Sequence, residues 1–478
     1  MDERIFPSKT GMDTACAGNI SLHSSYDPLK EAERYVESLN IKNNVTHFIL
    51  LEPALAYIIP VLRKTFPQAT FLTLRSSSFF RGKGNPDAEW FYGNNETLLS
   101  FLEHHISDSD ISRVNIIEWR PSLDAYGETY SSLLYELRVF IERAAANIKT
   151  TRFFGPRWIQ NCLKNLSALE NVLTFKKGTC PVLVCGAGPS LEAAIPIIKQ
   201  FQNDEALFII AVSSSFLALK ERGINPHLVI GSDGGNWARL HFIECERYSL
   251  QHDFFCATLN AALPSQCGEH PVLILSDCST WQSVLLEKYT VPHMRFPQRG
   301  TVTASALDIA LQITSGKVFV SGIDLSEDDL RSHARPYAFD ILLSSKANRC
   351  NPYYSETFKR KAREKSGALT IYADWFRHYL ENYPGRIYSM GKNHEIFSSL
   401  CEDLISNTSC KSLLPEFTVV GLNKRNQSPL EILFQVIDNQ NVKEELGELL
   451  SIDETQKDMT TVLKEKLSSL WKQETNHG

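Results

Sequence analysis

Hydrophobic and polar positions alternate along the chain in two blocks. In the first, an amphipathic run over Pro28–Ser38 predicts a helix, and the apolar run Thr46–Leu51 predicts a strand. A helical pattern over Ala54–Phe66 and a second strand, Thr70–Leu74, follow. Leu133–Asn147 carries apolar residues at three- and four-residue spacing, the mark of a helix with one buried face. Residues 1–30, rich in Ser and Gly, predict an irregular lead-in.

The second block begins near residue 178. Pro181–Cys185 is a continuous apolar run, as expected of a parallel strand buried on both faces. Further strands are predicted over Ala206–Val212, His227–Gly231, Phe254–Leu259, Pro271–Leu275 and Lys317–Ser321. Helices are predicted over Leu191–Phe201, Phe216–Arg222, Thr280–Tyr289 and Thr303–Ile313. Strands separated by helical lengths are the signature of βαβ units, so the pattern predicts an α/β fold with a doubly wound parallel sheet. After about residue 345 the β signal fades. From Gln427 onward the pattern is helical and charged, with Glu444, Glu445, Glu448 and Lys464-Glu465-Lys466 read as a solvated face. The expected organisation is an N-terminal α/β domain over 1–150, a central domain over 151–345 and a mostly helical region over 346–478.

The 478 residues suit about three domains at ~150 residues each. Apolar residues make up 43% and charged residues 22%, ordinary fractions for a globular chain. With 49 Lys and Arg against 55 Asp and Glu, there is no basic excess to neutralise a nucleic-acid backbone. The start, Met-Asp-Glu-Arg-Ile-Phe-Pro, lacks the apolar core of a signal peptide. The most apolar stretch, Val45–Leu62, is interrupted by His47, Glu52, Pro53 and Pro60, too often for a membrane span. Eleven scattered cysteines without a Cys-x-x-Cys spacing predict reduced thiols packed as small hydrophobes in a cytoplasmic protein.

Five polar segments at strand ends carry the candidate chemistry. Cys185-Gly186-Ala187-Gly188-Pro189-Ser190 follows a strand and opens a helix, where backbone N–H groups and the helix dipole favour an anion. Without a third glycine or a Gly-Lys-Ser/Thr it fits neither the dinucleotide fingerprint nor the P-loop, and a tight turn capped by Ser190 is the simpler alternative. Ser213 and Ser214, in Ser213-Ser214-Ser215, face the ligand crevice or cap a helix. Asp233, in Ser232-Asp233-Gly234-Gly235, offers a carboxylate to ribose hydroxyls or a divalent ion, or makes an Asp-Gly turn. Arg299-Gly300-Thr301-Val302-Thr303-Ala304-Ser305 holds a phosphate or carboxylate, or is a closely packed helix start. Asp324 follows the last strand, and His333 lies nine residues on. A loop His titrating near neutrality is suited to take a hydroxyl proton, and Asp324 is placed to orient it, bind a metal or cap a turn.

Taken in order, Val184-Cys185-Gly186-Ala187-Gly188-Pro189-Ser190-Leu191, Gly223-Ile224-Asn225-Pro226-His227, Ser232-Asp233, Ala306-Leu307-Asp308-Ile309-Ala310, Ser321-Gly322-Ile323-Asp324-Leu325 and His333-Ala334 resemble the motility accessory factor family. Upstream, Phe154-Gly155-Pro156-Arg157-Trp158-Ile159-Gln160-Asn161 and Asn165-Leu166 look like the segment leading into that family's central domain. The resemblance covers about 150–345 well and the flanks loosely. These are bacterial flagellin glycosyltransferases whose central domain is also similar to archaeal 6-hydroxymethylpterin diphosphokinase, and the Gly-x-Gly-Pro-Ser element to bacterial sialyltransferases. The resemblance implies a Rossmann-like, sialyltransferase-like central domain. It further implies a cytoplasmic enzyme moving a nonulosonic acid, pseudaminic or legionaminic in type, from its CMP conjugate to Ser or Thr of flagellin. No cofactor or metal is expected under that reading, and no nucleic-acid or membrane partner. In it Gly186, Ala187, Gly188, Pro189 and Ser190 cradle CMP with Ser213 and Ser214 nearby. Asp233 binds ribose or base, Thr303 and Ser305 hold phosphate or the sugar carboxylate, and His333 is the base with Asp324 beside it. Two alternatives are a diphosphokinase using ATP and Mg²⁺ on Asp233 and Asp324, and a non-catalytic flagellin-binding factor.

Overall fold

The computed structural model describes residues 2–42, 45–94, 96–106, 108–203, 207–247, 254–264, 270–296, 301–325, 333–353, 368–390, 396–398, 412–422, 427–452 and 458–475. Its contacts divide the chain into two compact units, Met1–Phe153 and Phe154–Gly478.

The first unit opens on strands β1 (Glu3–Pro7), β2 (Asp13–Ala17) and β3 (Ile20–Ser21), which form an antiparallel sheet. This corrects the irregular lead-in expected there. Gly11 and Gly18 turn the chain at φ +80° and +56°, a region that glycine enters without a Cβ clash. Ala15 and Ala17 then bury one face, too small to give a strong strand signal. Helix α1 (Pro28–Ser38) starts where Asp27 accepts the Lys30 N–H at 3.0 Å. After it come β4 (His47–Leu51), α2 (Ile58–Thr65), β5 (Thr70–Arg75), β6 (Ala88–Phe91), α3 (Leu98–His105), β7 (Val114–Glu118) and α4 (Arg120–Ala168), which kinks at Gly127 and whose residues from Phe154 onward belong to the second unit. Strands β6-β5-β4-β7 lie in that order and are all parallel. The helix expected from Ala54 begins only at Ile58, because Glu52, Ala54 and Ala56 take positive φ of 48°, 47° and 55°.

The second unit is built on one large sheet. Its strands are β8 (Asn171–Lys176), β9 (Val182–Cys185), β10 (Phe208–Val212), β11 (Leu228–Gly231), β12 (Phe254–Thr258), β13 (Val272–Ser276), β14 (Met294–Arg295), β15 (Val318–Ser321), β16 (Ile387–Ser389) and β17 (Glu416–Gly421). The order is β16-β15-β9-β10-β11-β12-β13-β8-β17, with β14 alongside β13. Every pairing is parallel except that of β17 with β8.

The two faces of β9 explain the winding. Leu183 and Cys185 pack against α5 (Leu191–Asn203) and α6 (Phe216–Lys220), whereas Val182 and Val184 pack against α9 (Val302–Ile313). Helices α7 (Arg239–Arg247) and α8 (Thr280–Lys288) continue the first face, in a core shared with Val229, Phe255 and Ile274. The sheet is therefore doubly wound. Strands run outward from β9 through β13, and the chain then returns to place β15 on the other side of β9. The reversal between β9 and β15 is a topological switch point, where the carboxyl ends leave a crevice for a ligand.

Residues 346–478, set apart by the sequence as helical, contribute β16 and β17 to this sheet. Helices Pro429–Val436, Gln440–Leu449 and Met459–Thr475 bury Leu433, Leu446, Leu463 and Leu467 in the same core as Leu163 and Leu285. A short helix α10 (Asp340–Lys346) and the helix Ala368–Glu381 lie between. Among the described residues no helix is long and apolar enough to cross a membrane. Every described cysteine is free, and burial pushes the thiols of Cys162, Cys185 and Cys256 well up, so they stay protonated.

Candidate functional site

The loop after β9 meets the loop after β15 at the switch point. Gly186 N–H donates to Ser321 O at 2.7 Å and Gly188 N–H to Gly322 O at 2.8 Å. A Cβ on Gly186 would fall 2.4 Å from Gly322 O, and one on Gly188 would fall 2.6 Å from Asp324 Cγ. The glycines are needed because two loops cross with no room for a side chain.

Asp324 completes the crossing. Ser190 N–H donates to its Oδ2 at 2.9 Å, and Ser190 Oγ donates to its Oδ1 in a short hydrogen bond. Ser190 is exposed and Asp324 half-buried. The N-terminus of α5 thus already holds a carboxylate, supplied across 134 residues of chain. The N–H groups of Gly186, Gly188 and Ser190, expected to cradle an external anion, are spent on protein acceptors. In this structure Asp324 therefore caps the start of α5. Ala187 O accepts the Ala334 N–H at 2.8 Å, which brings His333 to the same loop cluster. Glu192, in the first turn of α5 beyond Pro189, accepts the Arg335 N–H at 2.8 Å.

At the end of β10, Ser213 is buried and Ser214 half-buried. Neither side chain makes a hydrogen bond among the described residues. Their neighbour Ser215 donates to Cys185 O and Val212 O, both at 2.9 Å, tying β10 to β9. On α9, Thr301 caps its own helix by accepting the Ala304 N–H at 3.1 Å. Ser305 is buried and its hydroxyl donates to Thr301 O at 3.2 Å, so the first turn uses it internally. Thr303 is half-buried on that turn, while Arg299 and Gly300 lie outside the described residues.

Asp233 makes a tight turn by accepting the Gly235 N–H on Oδ1 at 2.8 Å. This loop and its neighbours after β12 and β13 are held by amides. Asn161 donates to Gly234 O and Asn260 O, and Asn165 to Leu259 O and Ala261 O. Asn260 and Gln282 in turn hold Asp277 at 3.0 and 2.9 Å.

A row of rings escaped the sequence analysis. His333 stacks on Tyr337 with centroids 4.1 Å apart and planes 9° from parallel. Tyr337 and His241 both contact Phe339, at 5.1 and 4.7 Å, and Trp237 meets Phe339 edge-on at 6.4 Å. The row spans from the switch-point loop to the loop after β11. Burial drives the His241 pKa down to about 4, with the Asp233 carboxylate pulling the other way, so its imidazole is neutral at physiological pH. A local signal did exist: Trp237 follows the Gly-Gly pair, and Tyr337 and Phe339 follow His333, aromatic residues in otherwise polar loops.

Residues 157–329 match the family model for 6-hydroxymethylpterin diphosphokinase MptE-like proteins. An uncharacterised protein of Treponema pallidum (strain Nichols) is 27% identical over 283 residues, 59% of this chain and 60% of the relative's own length. The solved structure of a Maf glycosyltransferase from Magnetospirillum magneticum AMB-1 is similar with a TM-score of 0.54 at 10% identity. That likeness covers 98% of this chain and 87% of the other, and at such identity it speaks to the fold.

Proposed function

We propose that the second unit is a glycosyltransferase that moves a nonulosonic acid, pseudaminic or legionaminic in type, from its CMP conjugate to a Ser or Thr hydroxyl of flagellin, in the cytoplasm. The observation that carries this reading is the juxtaposition, at the switch point of a fold shared with a Maf glycosyltransferase, of an exposed helix N-terminus and a histidine.

In this reaction the bond between the anomeric carbon and the phosphate oxygen breaks, and the acceptor oxygen bonds to that carbon. Positive charge develops on the sugar ring and negative charge on the departing CMP. The phosphate displaces the Asp324 carboxylate from Ser190 N–H and Oγ, so that α5 stabilises the leaving group. His333 takes the proton from the acceptor hydroxyl. Gly186, Ala187, Gly188 and Pro189 shape the loop, and Ser213 and Ser214 line its side. Asp233 receives the ribose hydroxyls, and Thr303 faces the sugar carboxylate. Ser305 supports the helix start rather than the ligand. The test is incubation of the chain with CMP-pseudaminic acid and flagellin, with mass spectrometry of the flagellin. A mass gain of one nonulosonic acid per modified site supports the reading, and CMP release without flagellin modification removes the acceptor.

The family-model match favours a second reading, a diphosphokinase using ATP and Mg²⁺. Its metal would require Asp233 and Asp324. In this structure Asp324 accepts both Ser190 donors, a contact that Mg²⁺ would have to replace. CMP binding without turnover would instead support a non-catalytic flagellin-binding factor.

A further inference from the structure

Trp237 stands out because so much of it is open to solvent. It is 59% exposed, on the short turn Asn236–Ala238 directly after the Asp233 loop. A large aromatic left in water forgoes most of its burial free energy. Its inner side is packed nonetheless. The ring leans on Phe339, and Phe339 is fixed by His241 and Tyr337, both of them buried. Asp233 lies four residues before it and close enough to His241 to act on its charge. One carboxylate oxygen of Asp233 is tied to Gly235 N–H. An exposed ring packed on Phe339, in the same loop as a carboxylate four residues before it, matches two parts of one ligand: a flat heteroaromatic base, and a pentose whose vicinal hydroxyls donate to the acid.

We infer that Trp237 is the base-stacking residue of the site, with the nucleobase of the donor lying on its indole and the ribose hydroxyls turned to Asp233. The inference rests on the proposal that the second unit binds a nucleotide. It adds the residue that contributes base affinity and the end of the crevice where the base lies. The base and the His333 loop then sit at opposite ends of the ring row, with the phosphate nearer Ser190. Stacking accepts any π-face, so Trp237 supplies affinity and leaves the choice of base to polar neighbours.

Calorimetric titration tests this on the full chain with CMP, AMP and ribose 5-phosphate, in wild type, Trp237→Ala and Trp237→Phe. Because Trp237 is exposed, both variants should keep the fold, which circular dichroism checks. Wild type should prefer the better-bound nucleotide over ribose 5-phosphate by roughly 10-fold or more, the scale of one base–aromatic stack. Trp237→Ala should lose that preference while binding ribose 5-phosphate unchanged, and Trp237→Phe should retain most of it. Equal nucleotide affinity in wild type and Trp237→Ala would overturn the stacking role and leave the nucleotide reading standing. A wild type that binds neither nucleotide better than ribose 5-phosphate would overturn both.

Discussion

Each of the two large sheets reverses its strand order once at a switch point, between β4 and β7 in the first unit and between β9 and β15 in the second. Their carboxyl ends are finished in opposite ways. In the first unit the protein fills its own crevice. Arg75 is 1% exposed and donates to Ala54 O at 2.6 Å and Lys83 O at 3.1 Å, with Glu89 3.7 Å from its Nε. Glu52 is 3% exposed and accepts the Ser76 N–H in a short hydrogen bond. Between them Glu52, Ala54 and Ala56 hold positive φ, a strained path kept in place by the groups around it. In the second unit the carboxylate at the switch point, Asp324, lies on the exposed Ser190. The winding supplies a crevice in both. Whether it is free for a ligand depends on how deeply its polar groups are buried and how many partners they have.

The contrast is sharpest for Arg75. Replacing it with Met leaves the Ala54 and Lys83 carbonyls without their donor and takes the buried cation away from Glu89, and should cost about 3–5 kcal/mol. Ser190→Ala, at the exposed crossing, should cost under about 1 kcal/mol. Denaturant unfolding of both variants measures the difference, and similar losses would erase the distinction.

His333→Asn turns the comparison toward catalysis. If His333 is the general base of the proposed transfer, its loss should lower transfer roughly 10²- to 10⁴-fold while leaving CMP affinity and folding stability nearly unchanged. Steady-state kinetics beside a melt checks this, and equal losses in rate and stability would make the residue structural.

The buried edge should also respond to pH. Burial raises the Glu52 pKa from its ordinary 4.5 to about 7, so the folded state holds this proton more tightly than the unfolded chain. The associated stability is complete below pH ~4.5 and falls as the pH rises through the window up to about 7. Its size is roughly 3 kcal/mol, and Glu52→Gln should flatten the slope. Unfolding curves between pH 4.5 and 8 test the sign.

The smallest expected effect belongs to Asp324. If its carboxylate holds the place of the donor phosphate, Asp324→Asn should tighten CMP binding a few-fold by removing a like charge. Weaker binding would instead make Asp324 part of the ligand contact.

Much of the second sheet was legible because its central strands are buried on both faces and read as unbroken apolar runs: Pro181–Cys185, Ala206–Val212, Pro271–Leu275. Strands β1, β2 and β17 were not, since alanines and half-exposed residues give no such run. The strand-end loops of the candidate site were visible as Gly, Ser and Asp clusters. What Gly186 and Gly188 do was hidden. Local spacing suggests room for an anion, and only the fold reveals Gly322 and Asp324 pressed against them from more than 130 residues away. The ring row was hidden for the same reason, being assembled from residues 237–241 and 333–339.

The most direct measurement is thermal stabilisation of the chain by CMP, set against ATP with Mg²⁺. A ligand at 100 times its dissociation constant adds ~2.7 kcal/mol to the folded state, enough to move the melt by several degrees. The account predicts a shift with CMP alone. A shift only with ATP and Mg²⁺, or none with either, would contradict it.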